Sequence, residues 1–440
     1  MKTPLVAIVG RPNVGKSSLF NMLAGQRISI TDDEAGVTRD RIIAPVEWSG
    51  HHFDMVDTGG VDFDVSNVFA IHIREQVDIA IDLCDVIVFL VDGESGVLQN
   101  DIDIANLLRK SKKPIVLAVN KLDNDKREAQ IHDFYALKMG DPVAISCTQK
   151  RGVGDLLDEV TKHFKRPTKD EPENEQAPIR IAIVGKPNAG KSSIVNKLLG
   201  EKRVMVSDIA GTTRDSIDTP FRYMNRDYIL TDTAGIRRKR SIEVQTIEHY
   251  SVLRAFNAMR NSDVSVIVID AEQGISEQDV RLAAYVHNEG KPSVLVVNKW
   301  DTIKGEKDRL FLKWEKDLER DFAFMPYFKS LFTSALTGQR INEIMRAIDE
   351  VMANTRRRIT TGKLNQMFLD FCTVNPTNAK IKYATQITIC PPTFAIFGSK
   401  MERLPKTYLR YLENCLRKEV DFTGTPVRIW LRENADKRGE

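Results

Sequence analysis

The sequence is short of cysteine: Cys84, Cys147, Cys372, Cys390 and Cys415 are all that 440 residues contain. The number is odd, no two form a C-x-x-C pair, and none stands among clustered histidines. A disulfide framework and a cysteine–histidine zinc site are therefore excluded as organising features. Thiols so scattered fit core or surface positions in a reducing compartment. No apolar run approaches the ~18 residues that a membrane-spanning helix needs. The first strand-like run begins at Leu5 with no leader ahead of it, and no amphipathic anchor or lipidation signal is present. The expectation is a cytoplasmic protein that does not engage membrane.

Net charge is also scarce, at +3, but the average hides an asymmetry. From Asn354 onward there are 16 Lys and Arg against 8 Asp and Glu, whereas the rest of the chain carries 48 against 53. A basic excess segregated into one region favours an anionic partner, nucleic acid before membrane. The length allows roughly three domains at about 150 residues each.

What the sequence does have is one stretch written twice. Gly10-Arg11-Pro12-Asn13-Val14-Gly15-Lys16-Ser17, followed by Ser18, returns as Gly185-Lys186-Pro187-Asn188-Ala189-Gly190-Lys191-Ser192, followed by Ser193. Both fit G-x-x-x-x-G-K-[ST], the phosphate-binding loop. Each follows an apolar run and precedes a helical pattern, the context the motif requires. The glycines let backbone N–H groups turn toward phosphate oxygens, and the helix N-terminus adds a positive dipole end. Lys16 and Lys191 would reach the β- and γ-phosphates, and the Ser17 and Ser192 hydroxyls would sit on Mg²⁺.

Taken in order, the first unit, 1–166, has strand-like runs at Leu5–Val9, Phe53–Val56, Val86–Val91, Ile115–Val119 and Val143–Ile145. Helical patterns at Lys16–Ala24, Ile71–Leu83 and Ile102–Arg109 lie between them. That alternation predicts an α/β fold, a mostly parallel sheet with helices on both faces. Residues 167–178, acidic and with three prolines, read as a linker. The second unit, 179–353, repeats the first: Lys16, Thr38 and Asp57 recur 175 residues on, and Asn120 and Asp123 recur 178 on. Ser146 recurs 188 on, which places about ten extra residues between Asp301 and Ser334. Residues 354–440 mix helical patterns (Lys363–Phe371, Lys406–Leu416) with strand-like runs (Tyr383–Ile389, Thr393–Phe397, Val427–Leu431), a small basic α+β domain.

Two more motifs recur behind each phosphate loop. Asp57-Thr58-Gly59-Gly60 and Asp232-Thr233-Ala234-Gly235 end strands; the Asp can serve Mg²⁺ and the last Gly can offer its N–H to a γ-phosphate. Asn120-Lys121-Leu122-Asp123 and Asn298-Lys299-Trp300-Asp301 follow buried strands. A carboxylate there accepts from guanine N1–H and N2–H₂, a donor pair that adenine lacks, so an ATPase is disfavoured. The Lys stem can lie along the base, and the Asn can tie its loop to the phosphate loop. Ser146-Cys147 and Ser334-Ala335 are placed to offer a backbone N–H to guanine O6.

In motif order the chain resembles the translation-factor-related GTPases. As a whole it is similar to the EngA (Der) double-GTPase ribosome-assembly factors of bacteria. The marks are both G-x-P-N-x-G-K-S loops, Ala35-Gly-Val-Thr-Arg-Asp40 with Ala210-Gly-Thr-Thr-Arg-Asp215, and Ala384-Thr-Gln with Pro391-Pro-Thr-Phe394. The resemblance implies two tandem P-loop GTPase domains, a C-terminal KH-like domain packed between them, and a role in maturing the large ribosomal subunit through rRNA and ribosomal proteins. It implies that Thr38 and Thr213 (not the neighbouring Thr212, by the 175-residue offset) are switch threonines on Mg²⁺. Lys16, Thr38 and Gly60, with Lys191, Thr213 and Gly235, are then the catalytic candidates. GTP and GDP would be the ligands, and a monomer is expected.

The residue after each D-T-x-G motif is Val61 or Ile236, and an aliphatic side chain cannot orient a water. Arg39 or Arg214 is one substitute. A K⁺ ion held with the help of Asn13 and Asn188, as GTPases of this resemblance often have it, is another and would act as an arginine finger does; the plain alternative is an Asn that only forms the turn. Arg237-Arg-Lys-Arg240 is either a solvated basic loop or a nucleotide-dependent RNA or domain contact. The tail lacks a G-x-x-G loop between helices, so RNA contact by charge, or protein docking, is expected of it. A competing reading makes one GTPase domain a nucleotide sensor acting on another RNA or protein partner. A membrane-remodelling or tRNA-modifying GTPase finds no supporting anchor or catalytic cysteine.

Overall fold

A computed structural model of the chain describes residues 4–25, 43–57, 77, 80–81, 84–123, 129–164, 177–200, 204–206, 218–231, 255–303 and 305–433. The chain divides into two compact units, residues 1–173 and 174–440.

The first unit is built on six strands: β1 (Leu5–Val9), β2 (Ile43–Trp48), β3 (His51–Asp57), β4 (Val86–Asp92), β5 (Ile115–Asn120) and β6 (Val143–Ala144). Their order is β2-β3-β1-β4-β5-β6, parallel except for the β2–β3 hairpin. The seven residues of β4, VIVFLVD, are all buried, as expected of a strand covered on both faces. Helices α1 (Lys16–Gly25), α2 (Gln99–Leu108) and α3 (Val153–Lys162) accompany the sheet. Leu19 and Leu23 of α1 and Leu156, Leu157 and Val160 of α3 join Val6, Ile8, Val88 and Leu90 in one core. The helix expected over Ile71–Leu83 falls mostly outside the described residues.

The parallel register matters more than the strand count. It sets Ile8 beside Asp57 and Asp92 beside Asn120. Three chemistry-bearing strand ends are thereby gathered at the carboxyl edge of the sheet, where open α/β sheets bind ligands.

The second unit repeats this plan with β7 (Ile179–Val184), β8 (Val204–Val206), β9 (Thr219–Tyr223), β10 (Arg226–Leu230), β11 (Val264–Asp270), β12 (Ser293–Asn298) and β13 (Lys329–Phe332). Their order is β13-β12-β11-β7-β10-β9-β8. Asp270 lies beside Asn298 as Asp92 does beside Asn120. Helices α4 (Lys191–Leu199), α5 (Glu277–Asn288), α6 (Lys307–Asp321) and α7 (Ile341–Thr355) belong to it. The 15-residue α6 stands where the first unit has a nine-residue 3₁₀ segment, Ala129–Leu137. That accounts for about six of the ten extra residues anticipated between Asp301 and Ser334; the rest lie in the longer stretch between α6 and Ser334.

The tail has helix α8 (Thr361–Val374), strands β14 (Lys380–Ile389) and β15 (Pro392–Ser399), helix α9 (Lys406–Glu419) and β16 (Arg428–Glu433). Its three-stranded sheet packs one face on the helices through Ala384, Phe394, Ile396, Phe368 and Leu412. The tail is fastened to the rest of the second unit by the turn at Gly424, whose N–H donates to Tyr327 O (2.6 Å) and whose carbonyl accepts from Ser293 N (2.8 Å). Thr425 and Thr355 share a hydroxyl hydrogen bond of 2.7 Å, and Asn354 donates to Thr423 O. Ser293 begins β12, so this attachment lies at the opposite end of that strand from Asn298.

Candidate guanine-nucleotide sites

Each phosphate loop is closed by its own lysine. Lys16 Nζ donates to Gly10 O (2.7 Å) and Arg11 O (2.9 Å); Lys191 Nζ donates to Gly185 O and Lys186 O, both at 2.7 Å. The curl needs positive φ at Asn13 (66°), Gly15 (99°), Asn188 (65°) and Gly190 (96°). At Gly15 and Gly190 space is as decisive as conformation: a Cβ would lie 2.3 Å from Asn120 Nδ2 or 2.1 Å from Asn298 Nδ2. Val14 and Ala189 are buried beneath their loops, while Pro12, Asn13, Asn188, Ser18 and Ser193 are exposed or partly so. Burial, opposed by Asp57 and aided by Arg11, brings the Lys16 ammonium down to about 8.

Ser17 Oγ donates to Asp57 Oδ2 at 2.8 Å, joining the start of α1 to the end of β3. A hydroxyl and a carboxylate side by side are the hard oxygen donors that Mg²⁺ takes when phosphates and waters supply the rest. Among the described residues no group of three His, Cys, Asp or Glu could hold a metal by itself. Thr38, Thr58, Gly59, Gly60, Thr213, Asp232, Thr233, Ala234 and Gly235 lie outside the described residues, as do Arg39, Arg214, Val61, Ile236 and 237–240.

The asparagines of the N-K-x-D motifs tie the loops together. Asn120 Nδ2 donates to Val14 O (2.8 Å) and its Oδ1 accepts from Cys147 N (3.1 Å). Asn298 repeats this with Ala189 O (2.9 Å) and Ala335 N (3.0 Å). In the Ser146-Cys147 and Ser334-Ala335 pairs, expected to offer a backbone N–H to guanine O6, the second N–H of each is held on an asparagine oxygen. Ser146 Oγ donates to Asp123 Oδ1 at 2.7 Å and accepts from Gln149 N, fixing the carboxylate from behind. Ser334 Oγ accepts from Thr337 N. Lys121 and Lys299 sit in left-handed conformation at φ 66° and 64°. Burial pushes the Cys147 thiol up to about 11, which leaves it an inert neighbour.

Sequence reading missed four carboxylates. Asp92 Oδ2 pairs with Lys121 Nζ at 2.8 Å, and Asp270 Oδ2 with Lys299 Nζ at 2.6 Å. Asp101 lies 3.3 Å from Arg11 Nε, and Asp279 lies 3.8 Å from Lys186 Nζ. All four are buried. Burial works against the Asp92 charge, but hydrogen bonds from Lys121 and Glu94 N–H prevail and lower its pKa; at Asp101 burial prevails and raises it. A signal was available: Asp92 and Asp101 recur at Asp270 and Asp279, 178 residues on, the offset of the N-K-x-D motif.

The family profile described as "50S ribosome-binding GTPase" matches residues 5–121 and again 180–299. Residues 358–432 match that of the "KH-domain-like of EngA bacterial GTPase enzymes, C-terminal". A GTPase Der of Clostridium perfringens is 48% identical over 438 residues, covering 98% of this chain and 99% of the relative. The chain belongs to the GTPase Der family. The Der proteins of Alkaliphilus metalliredigens (46% identical over 448 residues) and Staphylococcus saprophyticus (47% over 439) are matched over their full lengths by 99% and 98% of this chain. As a Der GTPase it carries two GTPase domains and a KH-like tail. No helix among its described residues is long and apolar enough to cross a membrane.

Proposed function

We propose that this Der-family GTPase hydrolyses GTP at both sites and acts in maturation of the large ribosomal subunit in the cytoplasm, as a monomer. The observation that carries two working sites is their duplication in detail: the Lys–carbonyl closure, the Asn bridge between loops and the Asp–Lys pair recur with nearly the same distances. In this reading Asp123 and Asp301 select guanine, Lys16 and Lys191 carry charge to the β- and γ-phosphates, and Gly60 and Gly235 offer N–H groups to the γ-phosphate. Ser17, Thr38 and Asp57, with Ser192, Thr213 and Asp232, would hold Mg²⁺, which neutralises charge developing on the phosphates. The switch threonines release when the γ-phosphate is lost.

With aliphatic Val61 and Ile236 after the D-T-x-G motifs, the missing positive charge comes from K⁺ held with the help of Asn13 and Asn188, both on exposed loop tips. Turnover should be faster in K⁺ than in Na⁺; equal rates would sink this part of the reading. The basic tail and the 237–240 cluster supply salt-dependent contact with rRNA. Co-sedimentation with ribosomal subunits, in a non-hydrolysable GTP analogue and in GDP at two salt concentrations, tests the whole. Binding to the large subunit with the analogue alone supports it, and no binding in either state overturns it.

A further inference from the structure

The four carboxylates outside the recognised motifs are wired differently in the two sites. In the first, the Arg11 guanidinium reaches both of its acidic neighbours: Nε is 3.3 Å from Asp101 Oδ1 and Nη2 is 3.7 Å from Asp92 Oδ2. The same Nη2 donates to Ser95 Oγ. Asp92 Oδ2 also holds Lys121 Nζ at 2.8 Å. Lys121, Asp92, Arg11 and Asp101 therefore form one unbroken ionic chain, from the base-recognition loop to the second residue of the phosphate loop and on to the start of α2.

In the second site the chain is cut. Lys186 replaces Arg11, and its single ammonium lies 3.8 Å from Asp279 Oδ2 and 3.5 Å from Gly274 O. Asp270 instead holds Lys299 at 2.6 Å. A planar fork can bridge two carboxylates, whereas a point charge on a flexible stem serves one. The helix caps differ to match. Asp279 Oδ2 accepts from Ser276 Oγ (2.6 Å) and from Ser276 N (3.0 Å). At the corresponding place the first site has Leu98, which offers only its N–H to Asp101 (3.1 Å). Asp101 and Asp279 are both fully buried, but beside its cation Asp101 has only the Leu98 N–H, where Asp279 has the Ser276 N–H and hydroxyl.

We propose that Asp92, Asp101 and Arg11 are positioning residues that couple base recognition to the phosphate loop in the first site, and that the second site lacks this coupling. The inference rests on the guanine-nucleotide reading of both sites. Its consequence is that disturbing either end of the chain disturbs the other in the first site only, because Lys121 and the phosphate loop share one set of charges.

The test is a pair of double-mutant cycles on full-length protein, read by titration with a fluorescent GDP analogue. Lys191→Ala silences the second site for the first cycle, Asp92→Asn with Asp101→Asn. Lys16→Ala silences the first for the mirror cycle, Asp270→Asn with Asp279→Asn. The first pair should be non-additive, the double variant binding about fivefold more tightly than the product of the single losses allows. The second pair should be additive within about twofold. Arg11→Lys, a mild change that keeps the fold, should make the first pair additive, and Lys186→Arg with Ser276→Leu should install non-additivity in the second. A purely structural role for the carboxylates would not respond to that exchange. Additivity in both sites, or non-additivity in both, overturns the proposal. Asp123→Asn separates this from failure of the underlying reading: unchanged GDP binding there would mean that the pocket itself is misassigned.

Discussion

Asn120 Nδ2 donates to Val14 O at 2.8 Å across 106 residues of sequence, and through it the N-K-x-D loop holds the G-x-x-x-x-G-K-S loop. Because Asn298 makes the same bond to Ala189, its removal can be compared between sites. Asn298→Ala leaves the buried Ala189 carbonyl and the Ala335 N–H without this partner, at a cost of about 1–3 kcal/mol for each unsatisfied group. Thermal melting should show the second GTPase domain less stable, and GDP affinity there should drop at least tenfold. Undiminished affinity would show that the two loops are positioned independently.

Gly190→Ala meets two obstacles, a φ of 96° and a Cβ position 2.1 Å from Asn298 Nδ2. Gly274→Ala meets only the first, with a φ of 77° and no atom within 4 Å. The Gly274 variant should lose about 1–2 kcal/mol of stability from left-handed strain and keep its nucleotide affinity. Gly190→Ala should abolish nucleotide binding at the second site, because the Asn298 side chain must move. Calorimetric melting and GDP titration of the two variants, side by side, check the contrast.

Lys16 sets a pH dependence on the first site. Burial brings its ammonium from 10.5 down to about 8, and phosphates bound beside it would raise it again. Below pH 7 the amine is protonated with or without nucleotide, so affinity does not vary through this group. Above about pH 8 the amine must first take up a proton, so GDP affinity falls as pH rises, by up to tenfold per unit. Calorimetric titration of the Lys191→Ala protein from pH 7 to pH 9.5 measures it; proton uptake on binding at pH 8.5 should appear as a dependence on buffer ionisation enthalpy. A flat profile would refute this assignment.

Gly424 fixes the tail where a larger residue would not fit. Its φ is 76°, and a Cβ would lie 2.2 Å from Val351 Cγ2 on α7. Gly424→Ala should loosen the tail from the second GTPase domain and speed its proteolytic release several-fold, with GDP affinity unchanged, since Asn298 lies at the far end of β12 from Ser293. Adding Val351→Ala removes the two methyls in the way, leaving only Val351 Cβ at 3.1 Å, and should recover part of the protection. Loss of nucleotide binding in Gly424→Ala would show that the tail's attachment reaches the site.

The sequence by itself determined the paired G-x-x-x-x-G-K-S and N-K-x-D motifs, the duplication and the alternation of strands and helices. Each rests on residues close together in the chain, or on one spacing repeated. Strand ends were legible for the same reason: runs such as Val86–Val91 are apolar throughout because both faces of a parallel strand are covered. The edge strand β2 was not, since Ile43–Trp48 mixes Pro45 and Glu47 with its apolar residues, and β8, with three residues, is too short to show a pattern.

Tertiary structure alone decided which charges meet. Asp92 and Asp101 read locally as a strand-end turn and a helix cap, roles that aspartate fills everywhere. They become part of the site because parallel register sets Asp92 beside Asn120, and because the phosphate loop folds Arg11 across some 80 to 90 residues onto both carboxylates. The divergence between Arg11 and Lys186 looks conservative in one dimension. In three it separates a continuous ionic chain from two isolated pairs, because only the guanidinium has donors spaced widely enough to reach both acids.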